Sequence, residues 1–164
     1  MSYLAFISDE HLLNCIDELY KTYLNCQQSV ELKKFYENKV DHIKFNFDMQ
    51  FNEIDIQDYV KAEITRKHDK TINNAIGLFH QNLFNGIDGY EAPPLSGYDI
   101  RKTDNTIFAE LKNKHNTMNS SSTEATFLKL KKWADKYPNS TCYLVEIIAT
   151  QSQDILWTPK CICY

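Results

Sequence analysis

From Cys142 to Ala149 the chain reads CYLVEIIA, an apolar run interrupted only by Glu146. A strand covered on both faces has this composition. Pro138-Asn139 forms a break just before it, and the stretch from about Ser122 to Tyr137 has the spacing of a helix. Farther back, TIFAELKNK (106–114) alternates Ile107, Ala109 and Leu111 with Phe108, Glu110 and Lys112, the period-2 signature of a strand. Strand, helix and strand in that order predict a β-α-β connection. The fold class that follows is α/β, a mixed central β-sheet flanked by helices.

The same alternation sets Glu110 and Lys112 on one face of their strand. Asp99 lies eleven residues before Glu110, between Tyr98 and Ile100, and the turn-like Lys102-Thr103-Asp104-Asn105 separates the two segments. A hairpin through that turn brings Asp99 beside Glu110. Two adjacent carboxylates repel one another and are stabilised by a divalent cation between them; oxygen-only ligands in small number favour Mg²⁺ with retained waters. A bound phosphodiester would complete the shell. The spacing by itself also describes a solvated strand face with one Glu-Lys couple. After the strand, residues 115–122 (HNTMNSSS) are rich in neutral donors, and Ser121 with Glu124 reads as a capping box opening a helix whose free N–H groups attract phosphate.

Asp99, Glu110-Leu111-Lys112 and the succeeding KNKHNTMNSSS resemble the PD-(D/E)XK nuclease superfamily. Within it they are similar to the type II restriction endonucleases that cut GGNCC-like (GGNCC/GGWCC) sites. The likeness extends from SYLAFISDE through NNAIGLFHQNLF to the strand after the helix, and so covers most of the chain. Tyr98 departs from the superfamily's pattern, which often has proline there, and such enzymes are expected to run on beyond Tyr164. The resemblance implies Mg²⁺-dependent hydrolysis of double-stranded DNA. It implies Asp99, Glu110 and the Leu111 backbone carbonyl as metal ligands, with Lys112 at the attacking water. Glu63, on the helix before the sheet, becomes an auxiliary metal or second-layer candidate; an exposed carboxylate beside Arg66 and Lys67 is the simpler account of it. Glu146 is the other auxiliary candidate, because a charge in an apolar strand needs a partner: it either faces the site beside Glu110 and Lys112 or pairs with a lysine. Asn113, Lys114, His115, Asn116, Asn119, Ser120, Ser121 and Ser122 are candidates for DNA contacts, as are Gln81 and Asn82 from the polar trio after Phe79. A palindromic target calls for two copies about a twofold axis, hence a homodimer, and restriction implies a cognate cytosine methyltransferase.

The 164 residues, 43% hydrophobic and 13% aromatic, suit one globular nuclease domain, with residues 1–96 mainly helical and 97–164 forming the catalytic sheet region. The net charge of −4 opposes DNA binding by broad electrostatics, yet residues 99–140 carry 8 Lys/Arg against 5 Asp/Glu. Because screening confines charge effects to about 10 Å, a local basic surface can serve within an acidic chain. Five cysteines without a C-x-x-C pair read as reduced thiols, and with neither a signal-like start nor an 18-residue apolar run the expected location is cytoplasmic, away from the membrane. Cys161-Ile162-Cys163 alternates like one strand face and lacks further metal ligands nearby. Glycine-rich phosphate loops, His-x3-His pairs and Gly-x-Ser-x-Gly elbows are all missing from the sequence.

Ser8 is the expected cap of a helix reaching about Gln28, with Leu12, Leu13, Ile16, Leu19, Tyr20, Tyr23 and Leu24 as its apolar stripe. Residues 31–38 have the makings of a short helix. Ile43, Phe45, Phe47, Met49 and Phe51 alternate as in a strand or extended arm. Asp55 to Phe84 is helical, in one piece or two joined near Thr71–Asn74, and 85–96, with two glycines and two prolines, is a loop. Ile155-Leu156-Trp157 is the expected start of a further strand. Two other readings keep this sequence pattern: a structure-selective or repair nuclease of the same superfamily, and a non-catalytic remnant that binds DNA or a partner.

Overall fold

A computed structural model describes residues 2–28, 41–94 and 96–159. The predicted helix at 31–38 and the Cys161/Cys163 pair lie outside the described residues. The chain divides into two compact units. One comprises residues up to Ile16 and those from Ile76 onward; the other is Asp17–Ala75.

The Asp17–Ala75 unit holds most of α1 (Asp9–Gln28), α2 (His42–Phe51) and the greater part of α3 (Ile56–Phe84). The segment expected as a strand or arm is the helix α2. Asp41 caps it, its carboxylate accepting from the amides of Ile43 and Lys44 at 3.0 Å each. Side chains four apart then meet as neighbours: Phe47 stacks on Phe51, and Lys44 pairs with Asp48. Residues two apart alternate between opposite sides of a helix, so the period-2 pattern buries none of α2, and Phe51 is 74% exposed. Phe45 meets the edge of the buried Tyr59 ring at 4.7 Å, and Lys44 lies over that ring at 5.7 Å. α3 starts where Asp55 accepts from the amide of Asp58, and it is continuous through Thr71–Asn74.

The other unit contains the sheet, in the order β1 (Tyr90–Glu91), β2 (Ile100–Lys102), β3 (Ile107–Lys114), β4 (Thr141–Ile148). The first three strands are antiparallel neighbours, while β4 is parallel to β3 and reached through α4 (Ser120–Lys136). This is the mixed sheet with flanking helices that the sequence predicts. β1 lies within the segment expected as loop, and two residues give no periodicity to detect. The β2–β3 turn is held by Asp104, whose carboxylate accepts from the Thr106 hydroxyl at 2.5 Å and its amide at 2.9 Å and pairs with Lys102; these bonds bring its pKa down to about 2.

Ile100, Ala109 and Leu111 form the core on one face of the sheet, with Phe84, Tyr90 and Ala92 packed against them. On the other face Phe108, with no exposed surface, is stacked at 5.2 Å on both Trp133 and Tyr137 of α4 and meets the edge of Tyr98 at 5.3 Å. The Trp133 indole donates to the Gly97 carbonyl at 3.0 Å. Gly97 has φ +82°, a left-handed conformation that glycine adopts at no steric cost, and it turns the chain into Tyr98-Asp99.

Two expectations fail at the end of the chain. β4 is not covered on both faces: it has strand pairing on one side only among the described residues, and its Tyr143, Val145 and Ile147 are 36–39% exposed. Residues 155–157 form no strand, since they pair with no neighbour; Trp157 instead packs its ring edge against Phe127 of α4, and Leu156 is 95% exposed.

Phe108 is the side chain whose loss most disturbs this unit. Replacing it with alanine is expected to cost about 3–5 kcal/mol in denaturant unfolding, the range for a buried aromatic.

Candidate active site

The β2–β3 register pairs Ile100 with Ala109 and Arg101 with Phe108. Extended by one residue, it sets Asp99 against Glu110, and the Asp99 amide donates to the Ala109 carbonyl at 3.0 Å. Asp99 Oδ2 then accepts from the Leu111 amide at 2.7 Å, where β2 has ended. In an antiparallel strand the N–H and C=O of one residue point the same way, so the Leu111 carbonyl also lies on the Asp99 side. Glu110 is 7% exposed and Asp99 is half-buried.

Both oxygens of Glu110 are occupied. Oε1 accepts from Lys112 Nζ at 2.8 Å, and Oε2 accepts from Lys129 Nζ. Lys129 is the residue that the sequence reading missed. A signal was present, for the buried or stacked α4 residues Thr126, Leu130, Trp133 and Tyr137 form one stripe, and Lys129, four before Trp133, belongs to it. Asp99, Glu110, Lys112 and Lys129 thus form a cluster with two charges of each sign.

The two carboxylates respond oppositely. Burial raises the Asp99 pKa above its usual 3.8, as does the neighbouring Glu110 charge, and the Leu111 amide only partly offsets this. Burial also acts upward on Glu110, but its hydrogen bonds to Lys112 and Lys129 prevail and hold it below its usual 4.5.

Asp99 and Glu110 with the Leu111 carbonyl make an oxygen-only donor set. Among the described residues no three His, Cys, Asp or Glu side chains converge on a metal. Oxygen donors in such small number suit a hard divalent cation that keeps some of its waters and fall short of a structural zinc site.

Glu63 lies in the Asp17–Ala75 unit, where Arg66 holds its carboxylate through Nη2 at 2.7 Å and Nε at 3.1 and 3.2 Å. Glu146 is the register partner of Lys112 and so projects from the same sheet face, where its carboxylate bonds to His115 Nδ1 at 2.6 Å. Asn113 points to the opposite face and bonds to His80 Nδ1 at 3.1 Å. Asn82 has its carbonyl bonded to the His11 ring at 2.8 Å, and Gln81 is its half-buried neighbour on α3. Lys114 ends β3, and Asn116 follows in the loop with φ +57°. α4 begins two residues earlier than the capping box predicts: Asn119 is the cap, accepting from the Ser122 amide and the Ser121 hydroxyl at 2.9 Å each. Ser120, Ser121 and Ser122 therefore form the first turn, beyond the end of β3 that carries Lys112.

Comparison with known proteins shows the family of the chain. The profile of the Eco47II restriction endonuclease matches residues 4–161. The chain belongs to the Eco47II restriction endonuclease family. It is 44% identical over 156 residues to the type II restriction enzyme Sau96I of Staphylococcus aureus, covering 94% of this chain and 60% of that one. It is 31% identical over 120 residues to the type II restriction enzyme Eco47II of Escherichia coli, covering 72% of this chain and 49% of that one. The chain thus spans about half to three-fifths of the length of these relatives. No solved structure shows significant similarity to it. Among the described residues of this family member, no helix is long and apolar enough to cross a membrane.

In carboxyl-detected NMR of the metal-free protein, Asp99 is expected to lose its proton at higher pH than an ordinary aspartate, and Glu110 at lower pH than an ordinary glutamate. Glu110, with its pKa lowered on folding, contributes stability above its unfolded value that is lost as pH falls through the folded one. Asp99, with its pKa raised, favours the fold while protonated and gives up that contribution as pH rises through its folded value.

Proposed function

We propose that this chain carries the catalytic centre of a type II restriction endonuclease that hydrolyses phosphodiester bonds in double-stranded DNA at a short GGNCC-like palindrome. The observation that carries this reading is the convergence of Asp99, Glu110 and Lys112 at the end of the β2–β3 hairpin, in a chain of the Eco47II family. The reading extends to a homodimer whose two copies each cut one strand of the palindrome, to a paired cytosine methyltransferase, to PD-(D/E)XK chemistry and to a cytoplasmic setting.

Asp99 and Glu110, with the Leu111 carbonyl, are the groups that would hold Mg²⁺. Such an ion, when bound, acts as a Lewis acid on the phosphoryl group and makes water a stronger nucleophile. Lys112 serves beside it, orienting the attacking water and countering the negative charge that grows on the phosphate. The hydrophobic packing of β3 and α4 fixes these groups before substrate arrives, so little reorganisation is needed during reaction. Around the centre, Lys114, His115, Asn116, Asn119 and the serines of the first turn of α4 offer donors for phosphates and base edges. Asn113 bonds to His80 and is placed to position the end of β3, as Glu146 positions His115. Glu63, Gln81 and Asn82 stay secondary candidates for the metal and the DNA.

The test is digestion of unmethylated plasmid DNA containing GGNCC sites by the folded 164-residue chain, with Mg²⁺ or with EDTA. Discrete fragments are expected in Mg²⁺ alone, and Lys112→Ala is expected to slow their formation by about 100-fold or more, the scale of a lost charge-stabilising group. A folded wild-type protein yielding no fragments would contradict the reading.

A further inference from the structure

The geometry points to Lys129 as a second active-site cation, resident on Glu110 while the site is metal-free and transferred to a DNA phosphate when metal occupies Glu110. The inference rests on the metal-site reading above and deepens it.

Its position follows from packing. α4 runs back between two parallel strands, so going one way along the helix is going the other way along β3. Trp133 is stacked on Phe108 at 5.2 Å. Four residues back along α4 is about 6 Å, and two residues forward along β3 is about 6.6 Å. The two steps match, so fixing Trp133 over Phe108 brings Lys129 over Glu110. Lys129 is therefore a lysine on the sheet-facing stripe of the helix, held there by the aromatic stack.

A structural ion pair does not require this arrangement. Lys112, two residues along the same strand, already supplies Glu110 with a counter-charge at 2.8 Å. Lys129 adds a second on the other oxygen while its side chain remains 34% exposed, against 9% for Glu110. Without metal, the two ammonium groups balance Asp99 and Glu110. A divalent cation held by those carboxylates leaves the cluster with a surplus of two positive charges, enough to neutralise two phosphodiesters. Lys112 and Lys129 are the groups free to meet them, Lys112 from the strand and Lys129 from the helix, and both side chains reach solvent. Resident ammonium groups also keep the half-buried carboxylates from facing one another uncompensated before the metal arrives.

Calorimetric titration of the metal-free chain with Mn²⁺ tests the competition, and binding of a GGNCC duplex in Ca²⁺ at several salt concentrations tests the phosphate contact. Lys129→Met keeps the length of the stem and removes the charge; Lys129→Arg keeps the charge. Lys129→Met is expected to bind Mn²⁺ about three- to tenfold more tightly than wild type, as loss of one partly exposed competing ion pair allows. It is expected to bind the duplex more weakly, with the salt slope smaller by about one per chain, and Lys129→Arg to restore that slope. A purely structural lysine gives the opposite metal result, since its loss disturbs Glu110 and weakens Mn²⁺ binding. Unchanged or weaker Mn²⁺ binding by Lys129→Met overturns the inference, as does an unchanged salt slope. Glu110→Gln is the control on the site itself: if it binds Mn²⁺ as wild type does, or if wild type binds neither Mn²⁺ nor the duplex, the metal-site reading fails and the role of Lys129 fails with it.

Discussion

Phe108 is held on the α4 side of β3 by Trp133, Tyr137 and Tyr98, and the positions of all four charged groups of the site depend on that stack. The ring fixes how far α4 has slid along β3, which decides the helical residue that covers Glu110. The same cluster reaches Gly97 through the Trp133 indole, so the turn into Asp99 is tied to the helix as well. A strand, a helix and a turn distant in sequence are locked to one another by aromatic packing. The charged groups are then placed at the edge of that packed region, half-buried but open to solvent on one side. This division suits the cation and phosphate binding proposed for the site, because the apolar stack supplies rigidity that a cluster of charged side chains does not supply for itself.

The charge balance of the site follows from burial. Burial pushes the Glu110 pKa up, and its hydrogen bonds to two lysines more than offset that; Asp99 has one amide and a negative neighbour, and its proton is held more tightly than that of an ordinary aspartate. On the proposed reading, a divalent cation between the pair would offset the repulsion that Asp99 feels and would compete with the lysines for Glu110. The chain belongs to the Eco47II restriction endonuclease family, and within its acidic overall charge the segment 99–140 carries more Lys and Arg than Asp and Glu.

Legibility in the sequence tracked how local the determining interactions are. The hairpin that pairs Asp99 with Glu110 was readable because alternation and a turn signal are adjacent in the chain. So was the β-α-β unit, whose apolar runs are strong and well separated. The segment 42–51 misled because its alternation is real, yet the Asp41 cap and the four-residue contacts Phe47–Phe51 and Lys44–Asp48 favour a helix, and period alone does not weigh those. β4 was read as covered on both faces since its composition is apolar throughout, but coverage depends on neighbours that composition does not specify. The α4 cap is Asn119 and not Ser121 because several good caps stand close together and sequence alone does not choose among them. Lys129 went unnoticed since a lysine in a helix is ordinarily a solvated residue; only the register of α4 on β3, set by the Phe108 stack, reveals where it lies.

The most direct test of the central claim, that Asp99 and Glu110 form one cation site at the end of the hairpin, is to titrate the metal-free chain with substoichiometric Mn²⁺ while recording amide NMR spectra. Paramagnetic broadening should appear first at Ile100, Glu110 and Leu111 and spread outward from them. Broadening centred instead on Glu146 and His115, or on Glu63, would place the cation elsewhere and contradict the account.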